Sequence, residues 1–403
     1  MLRNRVAYGL FLGAAIVFVY FYPGLFSSMF FYTLLLIPIS SLVYTLYVYY
    51  KFSYIQSVDK KFVTKGEVVT FNVKIVNETK MIYPYIEIQF YGGNTVFTQH
   101  FKTKKMAVLP NDSSTYPFIL ECQYRGYYEV GLKEIKIKDF LGFFSFRYKV
   151  FEPKYITVYP RIISLERFPV SSNKLSDLEG MLSGRGQEQG VLSDVRKYSY
   201  GDGLKKVHWK LSARKNEIMV KNYESTDTMQ AIVLLDLTEN AYGILENTIL
   251  EDKIVEVSVA VLNYCLLRQI ETHFIYHNGS DMIRESAKEY SHFETVYNTL
   301  FKIQFESKTP FDEMLQLALR EEHVKNNIIL ITSRLDEKLY RQMGIWRELS
   351  HEVILIYIST SELMHLEEEQ KVKTDEIFQP LQEIGIKTYE VHMQDDIKTI
   401  LES

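Results

Sequence analysis

Between Arg5 and Lys51 the sequence contains no charged residue and no histidine. A helix needs roughly 20 apolar residues to cross the hydrocarbon core of a bilayer, and this run is about twice that length. The Pro23-Gly24 pair near its middle favours a turn. The run therefore predicts two membrane-spanning helices within residues 1–51, at about Val6–Tyr22 and Met29–Tyr50, joined as a helical hairpin.

The basic residues that flank this run predict its orientation. Arg3 and Arg5 precede the first helix, and four lysines follow the second: Lys51, Lys60, Lys61 and Lys65. Because Lys and Arg near membrane ends favour the cytoplasm, we expect a two-span protein of the cell membrane with both termini inside. An interfacial aromatic belt is indicated by the tyrosines at the exit of the second helix, which are Tyr44, Tyr47, Tyr49 and Tyr50.

Two simpler explanations of the apolar run fit less well. A cleaved signal peptide has one short apolar segment, whereas here a second long segment follows at once. A buried helix pair of a soluble protein normally carries a polar face, which this run lacks. The membrane hairpin is therefore the favoured interpretation.

Length and composition limit what the rest of the chain can be. Its 403 residues suggest two or three domains at roughly 100–200 residues each. The formal net charge of −4 argues against a nucleic-acid-binding protein, which is usually basic. The two cysteines, Cys122 and Cys265, are too few for a disulfide framework or a Cys-rich zinc site, and this suits a reducing cytoplasm.

Residues 52–160 follow a β pattern. Val68–Asn77 alternates apolar and polar residues with the period of a half-buried strand, and Tyr85–Phe90 and Leu132–Lys138 do the same. Turn-forming residues separate these runs, and no amphipathic helix lies between them. The spacing predicts an all-β, antiparallel β-sandwich.

Residues 161–229 are predicted to be a linker that contains polar, glycine-rich sequence, and the pattern changes again from residue 230. Short apolar runs alternate there with helical segments. The predicted strands are Gln230–Leu237, His273–Tyr276, Ile328–Thr332 and Val353–Ile358, and the predicted helices are Thr248–Gln269, Phe293–Phe301, Phe311–Leu319 and Glu337–Leu349. Continuous apolar strands alternating with helices indicate a doubly wound α/β domain over residues 230–403, with a parallel sheet covered on both faces.

Three segments resemble a known bacterial family. The first is Arg125–Gly131 followed by Asp139–Phe144, the second is Thr157–Pro160, and the third runs from Val195 to Arg214. The third is the most specific, because a tyrosine, a Gly-Asp pair, a Trp-Lys pair and a Ser-Ala-Arg run recur in that order. Together they resemble the membrane-anchored family catalogued as domain of unknown function 58.

The resemblance covers nearly the whole chain and implies its architecture. Family members typically have two N-terminal membrane helices, a β-sandwich and a domain similar to von Willebrand factor type A. They often accompany AAA+ ATPases of the MoxR type, and some accompany membrane-bound transglutaminase-like proteins. No catalytic residue is established for the family, so the resemblance implies an adaptor or assembly factor without a small-molecule substrate.

The von Willebrand type A fold often binds Mg²⁺ through Asp-x-Ser-x-Ser after its first strand. This chain has Asp236-Leu237-Thr238-Glu239-Asn240 there, so Asp236, Thr238 and Asn240 offer oxygens to a hard cation. A later strand ends in Thr332-Ser333-Arg334, where Arg334 replaces the expected Asp and would repel a cation. We therefore expect no resident cofactor, with a depleted Mg²⁺ site as the alternative. In the simpler interpretation Asp236 caps or hydrogen-bonds a neighbouring loop.

The segment Asp194–Lys221 is basic, with eight Lys or Arg against three acidic residues. Its candidate interaction residues are Arg196, Tyr198, Asp202, His208, Trp209, Lys210 and Arg214. In one interpretation Trp209 packs on the domain core and Arg214 pairs with Asp202. In a second the segment binds a protein partner, because Trp, Tyr and Arg dominate interface hot spots. A third, contact with anionic lipid or nucleic acid, has no support from the net charge.

Enzyme motifs are few. His208 and Ser212 are four residues apart, which would place a nucleophile and a base on one helix face, but this spacing is common by chance. The chain has no phosphate-binding loop, no His-Glu-x-x-His helix and no Gly-x-Ser-x-Gly elbow. The sequence therefore favours a non-enzymatic, membrane-anchored scaffold that works with an AAA+ ATPase on a membrane or envelope client. The alternative is a metal-dependent binding or hydrolytic protein centred on Asp236.

Overall fold

The computed structural model describes residues 2–91, 104–150, 152–170, 191–199, 207–224, 230–318, 326–349, 351–363 and 378–403. The chain forms two compact units, Met1–Pro160 and Arg161–Ser403. The boundary between them coincides with the end of the predicted β-rich segment.

Two long apolar helices open the first unit, as the uncharged run predicts. Helix α1 spans Leu2–Phe21 and helix α2 spans Leu25–Lys51. Most of their side chains are exposed, and both are long and apolar enough to cross a membrane. They pack against each other, and the Tyr8 hydroxyl donates to the Leu34 carbonyl at 2.7 Å.

The last turns of α2 belong to the core of the β region. Val48 is fully buried there, Thr45 is 1% exposed, and the Tyr49 ring lies 5.9 Å from that of Tyr148. The Tyr44 hydroxyl donates to the Ile82 carbonyl. The predicted aromatic belt is therefore divided, because Tyr44 and Tyr49 pack on the β region while the side chains of Tyr47 and Tyr50 stay exposed.

The β region contains nine described strands. They are β1 (Ser53–Val58), β2 (Phe62–Thr64), β3 (Val68–Asn77), β4 (Tyr83–Tyr91), β5 (Lys104–Val108), β6 (Asp112–Glu121), β7 (Gly126–Lys138), β8 (Ser145–Lys149) and β9 (Lys154–Tyr159). One sheet has the order β1-β3-β6, and the other has the order β2-β9-β7-β4-β5 with β8 also paired to β7. All pairs are antiparallel except β2 with β9.

The alternation of residues along these strands explains how the two sheets share a core. In β3 every second residue from Val69 to Ile75 is fully buried, and Ile86 and Ile88 of β4 are buried in the same cluster. A strand places successive side chains on opposite faces, so one apolar face per sheet is enough to enclose one core. The coarse prediction of a β-rich region is confirmed.

In the second unit two strands, β10 (Val191–Lys197) and β11 (Met219–Glu224), form a separate pair, and beyond them strands and helices alternate as predicted. The strands are β12 (Ala231–Leu235), β13 (Thr272–His277), β14 (Met282–Ala287), β15 (Asn327–Thr332), β16 (Glu352–Ile358) and β17 (Lys387–Val391), in the order β14-β13-β12-β15-β16-β17. Only β14 pairs antiparallel in this sheet. The helices after β12 are Ile244–Leu267, Phe293–Lys302, Phe311–Ala318, Glu337–Glu348 and Ile397–Leu401, with a further helical segment at 378–383.

Both faces of the sheet are covered, which explains why its strands are apolar at every position. Ala231, Val233 and Leu235 of β12 face one core cluster, and Ile232 and Leu234 face the other. A parallel sheet buried on both sides needs such continuous apolar strands. The coarse prediction of an α/β region is confirmed.

The range 161–229, predicted to be a linker with the family segment, contributes residues to the core of the second unit and forms a strand pair. Leu165 and Phe168 lie in a core cluster of the second unit, and the Arg161 side chain bonds to the buried Glu256. Residues 191–199 and 207–224 form the antiparallel pair β10 (Val191–Lys197) and β11 (Met219–Glu224) with helix α3 (Trp209–Lys215) between them. The glycine-rich stretch 180–190 lies outside the described residues.

Candidate functional sites: the strand-end cluster and the Trp209 surface

Asp236 and Thr332 meet at the carboxyl end of the parallel sheet. Asp236 follows β12 and Thr332 ends β15, and these two strands are neighbours in register. The Thr332 hydroxyl donates to Asp236 Oδ2 at 2.6 Å. Ligands of open α/β sheets bind at this edge, so the pair lies where a functional site would be expected.

The second carboxylate oxygen of Asp236 is also engaged. Asp236 Oδ1 accepts from the Thr238 backbone N–H at 3.0 Å and from the Thr238 hydroxyl at 2.5 Å. Asp236 is 4% exposed, so these donors replace the water that the carboxylate would otherwise bind. The arrangement is a closed hydrogen-bonded turn after β12.

Arg334 joins the two loops at this edge. Its Nη2 donates to the Glu239 carbonyl at 2.6 Å and to Asn240 Oδ1 at 3.0 Å, and its backbone N–H donates to the Thr332 hydroxyl at 3.0 Å. The Arg334 guanidinium thus binds the amide oxygen of Asn240, which the sequence suggested as a cation ligand. We call Asp236, Thr238, Asn240, Thr332 and Arg334 the strand-end cluster.

The strand-end cluster does not fit Mg²⁺. This ion takes near-octahedral oxygen ligands, but the oxygens of Asp236 and Asn240 already accept hydrogen bonds, and a guanidinium stands beside them. In the described part of the chain, no three His, Cys, Asp or Glu side chains are grouped as metal ligands. The geometry instead matches the interpretation in which Asp236 hydrogen-bonds a neighbouring loop.

Two residues near this edge were missed by the sequence analysis. Ser307 pairs with the Asp236–Asn240 loop, because its N–H donates to the Leu237 carbonyl and its carbonyl accepts from the Glu239 N–H. The Ser307 hydroxyl lies 3.2 Å from His277 Nδ1 at the end of β13. No motif marks these residues, since a short parallel bridge between distant loops leaves no periodic signal.

The second candidate site is built on the short helix α3. His208 precedes the helix, and its ring Nδ1 accepts from the Leu211 N–H at 3.2 Å, which caps the first turn. At the other end Asn216 adopts a left-handed conformation with φ 53°, which ends the helix and turns the chain into β11.

Ser212 and His208 form structural hydrogen bonds and no catalytic pair. The Ser212 hydroxyl donates to the backbone carbonyl of His208 at 3.0 Å and accepts from the Met219 N–H at 2.8 Å. Ser212 is 9% exposed, and the nitrogen of His208 that would act as a base is engaged in the helix cap. A nucleophile needs an adjacent base on its own oxygen, and this arrangement does not supply one.

Trp209 is exposed on the first turn of α3. Its side chain is 67% exposed, so the interpretation in which it packs on a core is wrong. Lys210 and Arg214 are exposed as well and, being four residues apart, lie on the same face of the helix. Ile218, just before β11, is 48% exposed. We call Trp209, Lys210, Arg214 and Ile218 the Trp209 surface.

The remaining predicted interaction residues are placed as follows. Arg196 is exposed at the end of β10, and Tyr198 is half-buried with its N–H donating to the Ile218 carbonyl. Lys197 and Glu217 form an exposed ion pair at 2.7 Å across the hairpin. Asp202, the predicted partner of Arg214, lies outside the described residues.

Comparison with known families and curated proteins gives one match. The family described as "Protein of unknown function DUF58" matches residues 194–374. This range includes α3, β12 to β16 and both candidate sites. No curated protein matches the chain.

Two solved structures are distant likenesses of this chain. The CARDB domain of a Pyrococcus furiosus protein, solved in complex with di-metal ions, is 11% identical, with a TM-score of 0.20, 27% of this chain covered and 96% of the domain covered. Spo0M, a sporulation control protein from Bacillus subtilis, is 14% identical with a TM-score of 0.18 and 37% of this chain covered. The chain spans 58% of the length of that Spo0M chain. At these TM-scores neither likeness bears on fold or function.

Proposed function

We propose that this protein is a non-enzymatic scaffold of the cell membrane that binds a cytoplasmic protein partner through the Trp209 surface. The exposure of the Trp209 side chain carries the proposal. An indole costs free energy when it is left in water, and Trp and Arg dominate the energy of protein interfaces. A tryptophan that is 67% exposed, on a helix that also carries an exposed arginine, therefore has the chemistry of a docking residue.

The architecture that we propose around this surface is a two-span membrane anchor, a β-sandwich and a domain similar to von Willebrand factor type A. The exposed apolar side chains of α1 and α2 support the anchor, since a lipid environment would cover them. The basic residues Arg3, Arg5 and Lys51 support a cytoplasmic position for both termini.

The strand-end cluster supports a non-enzymatic role. Its only carboxylate, Asp236, is buried and satisfied by donors from Thr238 and Thr332, so it presents no free base or ligand. A catalytic group needs an accessible, correctly oriented atom. Here the carboxylate oxygens of Asp236 are already engaged in hydrogen bonds. The rival, a metal-dependent protein centred on Asp236, is disfavoured because both carboxylate oxygens of Asp236 already accept hydrogen bonds.

The partner that we propose is an AAA+ ATPase of the MoxR type, acting together with this protein on a membrane or envelope client. The basis is the resemblance of the Val195–Arg214 segment to the family in which such ATPases recur. The Trp209 surface lies in this segment. Lys210 and Arg214 give it positive charge, so we expect an acidic contact surface on the partner.

The experiment is an in-membrane crosslinking pull-down followed by identification of the captured proteins. The test variant is Trp209→Ala/Arg214→Ala. The matched control is Ile244→Ala/Arg341→Ala, which also removes one exposed apolar and one exposed arginine side chain from the same unit. Retained emission from the buried Trp346 shows that each variant is folded.

The proposal expects an AAA+ ATPase with wild type and with the control, and its loss with the test variant. Equal recovery of that ATPase by both double variants would move the contact away from the Trp209 surface. Recovery of no ATPase by wild type would reject the proposed partner.

A further inference from the structure

The hairpin tip that joins β7 to β8 is bonded to both apolar helices. Residues 139–144, here called the 139–144 tip, connect these strands with the sequence Asp-Phe-Leu-Gly-Phe-Phe. From α1, Asn4 Nδ2 donates to the Leu141 carbonyl at 2.8 Å and Arg5 Nε donates to the Phe143 carbonyl at 2.8 Å. From α2, the Ser41 hydroxyl donates to Asp139 Oδ2 at 2.6 Å.

Aromatic contacts and buried polar groups reinforce this connection. The ring of Phe143 lies 5.0 Å from that of Tyr8, and the ring of Phe140 lies 5.5 Å from that of Tyr44. Asp139 is 1% exposed, and its second oxygen accepts from the Phe144 N–H at 2.9 Å. The tip is therefore held in one conformation against the helices.

Gly142 allows the close approach. Its φ is +71°, a conformation that other residues rarely adopt, and a Cβ there would lie 2.8 Å from Asn4 Nδ2. The turn thus brings the peptide of Leu141 against the first turn of α1, close to the basic residues Arg3 and Arg5.

Two large apolar side chains of the tip remain uncovered. Phe140 is 53% exposed and Leu141 is 39% exposed, although they neighbour the buried Asp139 and Phe143. On α1 the tip contacts Asn4 and Arg5, where the uncharged run meets its basic flank, and on α2 it contacts Ser41 and Tyr44. In a membrane protein such a flank marks the boundary between hydrocarbon and headgroups, where exposed aromatic and apolar side chains are stabilised.

We infer that the 139–144 tip is a third membrane contact, in which Phe140 and Leu141 insert into the lipid interface beside the hairpin. This inference rests on the proposed membrane anchoring by α1 and α2. The hydrogen bonds from Asn4, Arg5 and Ser41 hold the tip at this depth. The contact fixes the β region at the bilayer surface, so that α2 does not act as a free tether.

Depth-dependent fluorescence quenching tests the inference on the full chain in lipid vesicles. An environment-sensitive fluorophore is attached to Leu141→Cys, with brominated lipids that carry the quencher either near the headgroup or deep in the acyl chains. The native thiols of Cys122 and Cys265 are buried, so the added cysteine is the one that reacts.

Two further positions serve as controls. Val17→Cys, on the exposed side of α1, reports whether the helices lie in lipid at all. The second control is Tyr127→Cys, because Tyr127 is 65% exposed and lies near the start of β7. At roughly 3.3 Å per residue this position is about 40 Å along the strand from the tip.

The inference expects strong quenching at position 141 by the shallow quencher, quenching at position 17 by the deep one, and none at position 127. Quenching at 17 without quenching at 141 overturns the third contact and leaves the anchoring intact. Equal quenching at 141 and 127 also overturns it, because the probe would then sense the vesicle surface in general. No quenching at 17 rejects the anchoring itself and the inference with it.

Discussion

Replacing Asp236 with alanine tests whether the strand-end cluster is a structural network. The change removes the acceptor of three hydrogen bonds in a site that is 4% exposed. The Thr332 hydroxyl can turn to the Arg334 carbonyl at 3.1 Å, whereas the Thr238 N–H loses its acceptor. A hydrogen bond to a charged acceptor contributes about 1.5–3 kcal/mol, and the Thr238 N–H is only part-buried, so we expect a loss of about 2–3 kcal/mol in unfolding free energy.

Asparagine at the same position is the matched control. Its Oδ1 can accept from Thr238, and its amide can donate to the Thr332 hydroxyl while that hydroxyl donates to the Arg334 carbonyl. We therefore expect Asp236→Asn to stay within about 1 kcal/mol of wild type. A metal site would instead make the two variants alike, because neither alanine nor an amide replaces a carboxylate as a charged ligand of Mg²⁺.

Tryptophan emission follows the unfolding of this unit selectively. The two tryptophans of the chain, Trp209 and Trp346, both lie in Arg161–Ser403. Trp346 is 3% exposed, so its emission shifts on unfolding, and a Trp209→Phe background removes the exposed indole. A loss of 2–3 kcal/mol corresponds to a fall of roughly 4–12 °C in Tm for a unit of this size.

Two results would refute the network. An alanine variant with an unchanged Tm would mean that the hydrogen bonds contribute no net stability. A Mg²⁺-dependent rise in the wild-type Tm that both variants lack would establish a ligand that binds the folded state at Asp236.

Three further predictions concern thiols, a core residue and a buried ion pair. Burial raises the pKa of Cys122 to about 11 and that of Cys265 to about 12, so both should resist alkylation at pH 8, as checked by mass spectrometry. The raised pKa means that the folded protein favours the protonated thiols. Their contribution to folding stability is therefore complete below pH 9 and is lost as the pH rises toward 12. Val48→Ala should cost about 1–3 kcal/mol in the first unit and increase the labelling rate of Cys122 in urea while leaving that of Cys265 unchanged. Arg161→Ala removes the guanidinium that is bonded to the fully buried Glu256. Because Arg161 is itself half-exposed, we expect a loss of only about 1–3 kcal/mol in unfolding free energy, measured by Trp346 emission. Arg161→Lys should cost less.

Periodic signals in the sequence predicted the elements that local physics determines. The uncharged run predicted two helices, which are found at Leu2–Phe21 and Leu25–Lys51. Alternation predicted β3 at Val68–Asn77 without error, and continuous apolar residues predicted β12, β15 and β16 to within two residues at each end. These patterns arise because burial on one face or on both faces demands a fixed spacing of apolar residues.

Elements without such spacing were not predicted. Strand β14 lies at the edge of its sheet, and β10 and β11 lie inside the range 161–229, which was predicted to be a linker with the family segment. Likewise the sequence did not separate Tyr49, which packs on β8 residues, from the exposed Tyr50. In each case the partner surface comes from a distant part of the chain.

The candidate sites divide along the same line. The sequence by itself determined that Asp236 and Thr332 lie at the ends of apolar strands, that Arg334 opposes a cation, and that the family segment holds Trp209. Only the tertiary structure decided that Asp236 accepts three hydrogen bonds, that the Ser212 hydroxyl accepts from the Met219 N–H, and that the Trp209 side chain faces solvent. The physical reason is that hydrogen-bond partners and exposure depend on which distant loops the sheet brings together, and local residue spacing carries no record of them.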